Sequence, residues 1–132
     1  MTNDSAKKLI YVVEDDAEQL YVLRILLSDV GYDVITESNA DRVMDGVKAL
    51  KPDLVLLDVM LPSQTGLDGF ELCSQLREVK GLENMRIIIV SAIAEGVGPL
   101  RKKMTTQLGA DDFILKPYDP PKLLNRIGEL LA

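Results

Sequence analysis

The sequence contains no histidine and only one cysteine, Cys73. These absences exclude disulfide frameworks, thiol–imidazole dyads, Ser-His-Asp triads and zinc sites built from cysteine and histidine. Any chemistry must therefore come from carboxylates, lysine, hydroxyl groups and the backbone. We interpret Cys73 as a small core residue of a helix rather than as a redox sensor.

Positive charge and long apolar runs are also scarce. The formal net charge is −6 and the isoelectric point is near 4.6, which argues against direct binding to nucleic acid or to an anionic membrane surface. The longest apolar runs, such as Leu54–Leu57 and Ile87–Val90, are too short to span a bilayer, and residues Met1–Ser5 lack the basic-then-apolar pattern of a secretion signal. We expect a cytoplasmic, single-domain protein, because 132 residues, 47% of them hydrophobic, suit one core.

Short runs rich in valine, isoleucine and leucine alternate with longer segments of helical spacing. The predicted strands are Leu9–Val13, Val34–Thr36, Leu54–Leu57, Ile87–Val90 and Phe113–Leu115. The helices between them include a third near Phe70–Lys80 and a fourth near Gly98–Leu108. Because the middle strands lack polar alternation, both of their faces are expected to be buried under helices, as in a parallel sheet. The fold class is therefore α/β, as one doubly wound domain.

Residues at the element boundaries agree with this prediction. Asp16 and Gln19 are placed as a capping pair for the first helix, and Gly31 as its C-terminal stop. Gly109 is placed as the stop of the fourth helix. Asp119-Pro120 predicts an N-cap followed by a proline in the first turn of the last helix.

The residues that follow the strands carry the candidate chemistry, because a doubly wound sheet binds ligands beyond the carboxyl ends of its strands. These residues are Glu14-Asp15-Asp16, Asp58, Ser91-Ala92 and Lys116-Pro117. Each alone is explained by a helix cap or a surface charge. Together, neighbouring carboxylates repel by roughly 4 kcal/mol per close pair at an effective dielectric constant of about 20, so the cluster needs a cation or protonation. An all-oxygen site beside a lysine suits Mg²⁺ and indicates phosphoryl chemistry.

Four segments resemble the motifs of response-regulator receiver domains, in the family's order and over nearly the whole chain. They are Val12–Asp16, Pro52–Pro62, Ser91-Ala92 and Gly109–Pro117. The resemblance implies a flavodoxin-like α/β fold whose five-stranded parallel sheet has the order 2-1-3-4-5, with five helices on both faces. It also implies that residues 1–132 form one receiver domain, with no output domain in this chain.

The resemblance assigns a role to each site residue. Asp58 would be the nucleophile that accepts a phosphoryl group from the phosphohistidine of a histidine kinase or phosphotransfer protein. Asp15, Asp58 and the backbone carbonyl of Met60 would hold Mg²⁺. Glu14 would act mainly through a metal-bound water, and Lys116 would offset charge on the phosphoryl oxygens. The chain would thus catalyse its own phosphorylation and dephosphorylation without turning over an external substrate.

The resemblance also implies a switch. Ser91 would move to hydrogen-bond the new phosphoryl oxygen, and the backbone N–H of Ala92 would be a second donor. Phe113 would then turn inward and change the surface formed by the fourth helix, fifth strand and fifth helix, for a downstream partner or output domain to read. Homodimerisation is left open. The Lys116-Pro117 bond would be cis and would aim the lysine inward.

Several features depart from the family's usual pattern. The stretches Ser63–Asp68 and Ala94–Pro99 make their loops longer than usual, which would affect partner choice and the shape of the switch surface. Phe113 lacks the hydroxyl of a tyrosine, which leaves a switch based on packing. Met60 and Ile93 cannot strongly hydrogen-bond an attacking water, so we hypothesise slow self-dephosphorylation. An unchanged phosphoryl lifetime in Met60→Asn would count against it.

Other functions were weighed against the switch. An aspartate-nucleophile phosphatase would need a second aspartate two positions after Asp58, where this chain has Met60. A nucleotide-binding enzyme would need a Gly-x-x-x-x-Gly-Lys-Ser/Thr run, which the sequence lacks. A receiver-like interaction module that signals without phosphate is the remaining alternative, and retention of every motif residue argues against it.

Overall fold

The computed structural model describes residues 7–59, 69–91 and 108–132. Its strands are β1 (Leu9–Val13), β2 (Asp33–Glu37), β3 (Leu54–Asp58), β4 (Arg86–Ser91) and β5 (Asp112–Leu115). Its α-helices are α1 (Ala17–Asp29), α2 (Val43–Leu50), α3 (Gly69–Arg77) and α4 (Pro120–Leu131), and a short 3₁₀ helix, Ala40–Arg42, precedes α2. Nearly all of the predicted helix near Gly98–Leu108 lies outside the described residues.

The five strands form one parallel sheet in the order β2-β1-β3-β4-β5. This order confirms the predicted 2-1-3-4-5 topology. Every residue of β3 is buried, because the strand lies in the middle of the sheet and helices cover both of its faces. Asp58 is the last residue of β3 rather than the first residue after it, so the strand carries the carboxylate directly.

Helices cover both faces of the sheet, as predicted, because successive strand residues point to opposite sides. On β1, Tyr11 and Val13 belong to one buried cluster, whereas Ile10 and Val12 belong to the other. The first cluster packs against α2 and α3, and its helical members are Val43, Val47, Leu72, Cys73 and Leu76. The second packs against α1 and α4, and its helical members are Leu23, Leu27, Leu123 and Ile127.

At α1 the predicted N-cap is confirmed, and Gly31 directly follows the C-cap residue. The predicted stop of the fourth helix belongs to a helix outside the described residues. The Asp16 carboxylate accepts hydrogen bonds from the backbone N–H groups of Glu18 and Gln19, at 2.9 and 3.2 Å. Asp119 occupies the N-cap position of α4 without a side-chain capping bond. Two prolines follow it, and the second removes an N–H that such a cap would bind. In the part of the chain that the structure describes, no helix is long and apolar enough to cross a membrane.

An ion-pair network joins α3 to the N-terminal ends of β4 and β5, at the edge opposite the predicted site. Arg77 forms a salt bridge of 3.0 Å to Asp111. Its guanidinium also donates to the backbone carbonyls of Gly109, at 2.8 Å, and Met85, at 2.6 Å. The Asp111 carboxylate in turn accepts the backbone N–H of Ile87 at 2.8 Å. No pattern in the sequence indicates this network.

Candidate functional site

The carboxyl ends of β1, β3, β4 and β5 bring four predicted site residues to one edge of the sheet. Asp58 is paired in register with Val90, and Ser91 is paired with Leu115. The backbone N–H of Lys116 donates to the Ser91 carbonyl at 2.8 Å, which extends the β4–β5 pairing to the lysine. Glu14 directly follows β1, whose last residues pair with those of β3.

The Lys116 ammonium joins two carboxylates that come from two different strands. Its Nζ lies 2.6 Å from Oε1 of Glu14 and 2.9 Å from Oδ2 of Asp58. The glutamate is 4% exposed and the aspartate 5%, so both ion pairs are largely removed from water. Charge-assisted hydrogen bonds of this kind are short and strong, and they fix the relative positions of the three groups.

The backbone at the start of α1 holds the second oxygen of Glu14. Oε2 accepts the N–H groups of Asp15 and Asp16, at 3.1 and 3.2 Å. Burial raises the pKa of Glu14 above its ordinary value, although the hydrogen bonds from Lys116 and the backbone act in the opposite direction. Burial alone would lower the pKa of Lys116. The hydrogen bonds and attraction from Glu14 and Asp58 outweigh it, so this pKa is raised.

Glu14, Asp15 and Asp58 form a cluster of carboxylates that can hold a metal ion. One oxygen from each lies within 4.8 Å of the others, and Asp15 is exposed to solvent. Three ionised carboxylates and the Lys116 ammonium sum to −3 + 1 = −2. At such a separation each pair of carboxylates repels by about 3–4 kcal/mol at an effective dielectric constant near 20. The charge deficit and the all-oxygen donor set both fit Mg²⁺.

Some of the remaining predicted site residues lie in the part of the chain that the structure describes, and others lie outside it. Ser91 and Phe113 are fully buried, and Phe113 lies in the cluster packed against α2 and α3. The ring is therefore already in the interior in this structure. The Lys116-Pro117 peptide bond is cis, as expected. Met60 and Ala92 lie outside the described residues, as do Ile93 and both longer loop stretches.

The family described as response regulator receiver domain matches residues 10–128. The chain belongs to this family. Its fold and the order of its motifs were correctly predicted from the sequence. Such domains are the receiver modules of two-component response regulators, and they generally bind Mg²⁺ at an acidic pocket. Glu14, Asp15 and Asp58 form an acidic cluster of that kind.

Known proteins similar to this receiver domain include a regulator from Bacillus subtilis, the alkaline phosphatase synthesis transcriptional regulatory protein PhoP. It is 38% identical over 124 residues, which are 94% of this chain and 48% of PhoP. The BeF₃-activated N-terminal receiver domain of Klebsiella pneumoniae RstA is 34% identical with a TM-score of 0.78, covering 94% of this chain and 98% of that one. A CheY-like receiver domain protein from Methanospirillum hungatei is 28% identical with a TM-score of 0.82, covering 96% and 94%.

The receiver domain thus spans about half the length of the curated relatives that it matches. In both of the solved structures above, by contrast, it covers more than nine-tenths of the matched chain. The similarity therefore concerns one domain, and the activities of the longer relatives are not carried over with it.

Tyr118 borders the site and was not among the predicted site residues. With Glu14, Asp58 and several apolar side chains, it lines a cavity of about 10 Å³. Burial raises the pKa of the Tyr118 hydroxyl above its ordinary value. Its place two residues after Lys116 was the available sequence signal, because a residue so near Lys116 also lies at this edge of the sheet.

Proposed function

We propose that this receiver domain is a phosphorylation-dependent signalling switch whose phosphoacceptor is Asp58. The observation that carries the proposal is the bridge from the Lys116 ammonium to both Asp58 and Glu14. It holds a nucleophile, a cation and oxygen donors for a metal within one small region. Phosphoryl transfer depends mainly on such positioning and charge compensation.

The proposed Mg²⁺ site uses side chains that the structure already brings together. Asp15 and Asp58 would bind the ion directly, Glu14 would act mainly through water, and the Met60 carbonyl would complete the protein ligands. Bound Mg²⁺ would supply positive charge at the phosphoryl oxygens. The buried position of Glu14 and Asp58 supports this assignment, because buried carboxylates in excess of their cations are costly.

In the proposed reaction, an Asp58 carboxylate oxygen attacks the phosphorus atom of a partner's phosphohistidine. A phosphorus–oxygen bond to Asp58 forms, the phosphorus–nitrogen bond breaks, and the imidazole nitrogen keeps the electron pair. Lys116 donates to a phosphoryl oxygen as charge moves onto the group. Water later hydrolyses the acyl phosphate and restores the carboxylate.

The proposed output begins at Ser91. The new phosphoryl oxygens would accept hydrogen bonds from the Ser91 hydroxyl and the Ala92 backbone N–H. Repacking around Phe113 would then alter the surface that includes β5 and α4. Phe113 is buried in this structure, so the change would be a rearrangement within the core rather than the entry of an exposed ring.

The proposed partners follow from this chemistry and from the relatives. A histidine kinase or phosphotransfer protein would supply the phosphoryl group in the cytoplasm. PhoP is named as a transcriptional regulatory protein and is about twice as long as the matched segment. We infer that the phosphorylated surface acts on an output domain or a separate protein, and that any DNA contact belongs to that output.

The test is to incubate the protein with acetyl phosphate and Mg²⁺ and to record its intact mass, with and without EDTA. We expect a gain of one phosphoryl group that EDTA abolishes and that hydroxylamine removes, because hydroxylamine cleaves acyl phosphates. Asp58→Asn should abolish the gain. Asp45→Asn, which removes an exposed carboxylate from α2, is the matched control and should leave the gain unchanged.

Two results would contradict the proposal. One is a phosphoryl gain that persists in Asp58→Asn, which would assign the chemistry to another residue. The other is the absence of a gain both with acetyl phosphate and with a panel of phosphorylated histidine kinases, in a protein that is folded and binds Mg²⁺. That result would favour an interaction module that signals without phosphate.

A further inference from the structure

The first residue of α3 lies directly against the backbone that follows Asp58. Gly69 is buried, and a Cβ atom built on it would be 2.5 Å from the Val59 Cα. The same Cβ would be 2.6 Å from the Val59 carbonyl oxygen and 2.9 Å from its carbonyl carbon. Non-bonded carbon atoms prefer about 3.5–4.0 Å, so any side chain at this position would force the two backbones apart.

Glycine is required at position 69 because a side chain has no room there, and not because of the backbone conformation. Gly31, Gly81 and Gly109 have positive φ angles, which favour glycine in their turns, but Gly69 does not. Glycine at this position therefore permits the close approach of α3 to Val59.

Hydrogen bonding and packing both restrain Val59 against displacement by such a steric clash. Its backbone N–H donates to the Val90 carbonyl of β4 at 3.3 Å, and its side chain is buried in the cluster packed against α2 and α3. Asp58, the residue before it, holds Lys116 through a hydrogen bond of 2.9 Å. A displacement of the Val59 backbone would therefore be transmitted to the Asp58 carboxylate.

We propose that Gly69 is a positioning residue for the phosphorylation site. Its missing side chain lets α3 hold the Asp58–Val59 backbone in the place where Asp58 meets Glu14, Asp15 and Lys116. This inference rests on the proposed function of Asp58. It predicts that one added methyl group at Gly69 weakens Mg²⁺ binding and phosphorylation beyond what its effect on folding explains.

Gly46 offers a matched control on the same face of the sheet. It lies inside α2, and a Cβ there would also clash, but with the ring and hydroxyl of the Tyr11 side chain. Gly46→Ala thus adds the same methyl group in a tight helical position away from the site. The Gly46 clash is with side-chain atoms of Tyr11, whereas the Gly69 clash is with backbone atoms of Val59. Tyr11→Phe should therefore partly restore the stability of Gly46→Ala, and Val59→Ala should not restore Gly69→Ala.

The experiment compares wild type, Gly69→Ala and Gly46→Ala in three measurements: the free energy of unfolding in urea with EDTA, Mg²⁺ affinity by calorimetry, and the rate of phosphorylation by acetyl phosphate. We expect both variants to be less stable. Mg²⁺ affinity should fall by about tenfold in Gly69→Ala, the scale on which supporting residues change metal sites, and stay unchanged in Gly46→Ala. The phosphorylation rate should fall only in Gly69→Ala.

The outcomes separate this inference from the proposed function. Equal Mg²⁺ affinity and phosphorylation rate in all three proteins would overturn the role of Gly69 and leave the switch intact. Failure of the wild type in both assays would overturn the switch, and this inference with it. If Gly69→Ala does not fold, an NMR titration of the wild type replaces it. The Gly69 amide should shift with Mg²⁺ while that of Gly46 stays fixed, and an unmoved Gly69 would contradict the role.

Discussion

At the scale of single residues, the net charge of the site depends on how far the Lys116 ammonium compensates the neighbouring carboxylates. Lys116 contacts Glu14 and Asp58 directly, whereas Asp15 stays exposed at the rim of the same cluster. Lys116 alone therefore leaves the cluster with excess negative charge. A divalent cation would complete the compensation, and Asp15 is the carboxylate whose loss should affect that cation most cleanly.

Asp15→Asn is expected to abolish stabilisation by Mg²⁺ without destabilising the metal-free protein. A ligand that binds only the folded state stabilises it by RT ln(1 + [L]/Kd), about 1.4 kcal/mol at ten times the Kd. Urea unfolding with Mg²⁺ and with EDTA would measure this gain. The wild type and Asp45→Asn should show it, and Asp15→Asn should not. An undiminished gain in Asp15→Asn would place the ion elsewhere.

Cys73 should make the protein less stable as the pH rises above about 9. Burial raises the pKa of its thiol to about 11. The folded state therefore keeps a proton that the unfolded state loses between pH 9 and 11, and stability falls through that window by at most about 2–3 kcal/mol. The free energy of unfolding, measured with urea in reducing buffer, should fall less between pH 8 and pH 10.5 in Cys73→Ala than in the wild type. Equal decreases in the two proteins would refute this linkage between the thiol and stability.

At the scale of elements, the sequence predicted those features that local chemistry determines. The buried runs, the Asp16 cap and the convergence of Glu14, Asp58 and Lys116 follow from residue type and from parallel topology. Contacts between distant segments had no comparable signal. Gly69 gives no local sign that it touches Val59.

The Arg77 network is another contact that the sequence could not indicate. Its guanidinium reaches Gly109 and Asp111, which lie 32 and 34 residues away along the chain. A charged residue near the end of a helix is ordinarily read as part of a solvated face. Only the packing of α3 beside β4 and β5 shows that this one is structural.

Arg77→Lys is expected to destabilise the fold by about 1–3 kcal/mol, because one ammonium cannot replace a planar group that donates to four acceptors. Arg24→Lys is the control, since Arg24 is exposed and donates a hydrogen bond to the Thr36 hydroxyl at 3.2 Å. It should change stability by less than about 0.5 kcal/mol. Urea unfolding measures both, and equal effects would contradict a structural role for Arg77. Mg²⁺ affinity should not change in either variant.

At the scale of the whole molecule, one sheet connects the proposed phosphoacceptor to the surface that a partner would read. β3 carries Asp58, β4 carries Ser91, and β5 carries Phe113 and leads into Lys116. The strands are neighbours, so we expect a change at the proposed site to reach β5 through two adjacent pairings. The domain spans about half the length of PhoP.

The proposed switch depends most directly on which residue carries the phosphoryl group. Borohydride reduction of the acetyl-phosphate-treated protein converts an aspartyl phosphate to homoserine, and peptide mass spectrometry then locates the change. We predict homoserine at position 58 in wild type, dependent on Mg²⁺, and at no position in Asp58→Asn. Homoserine at Asp15 or any other aspartate, or a reduced glutamate, would contradict the assignment of Asp58, as would a phosphoryl group that resists borohydride.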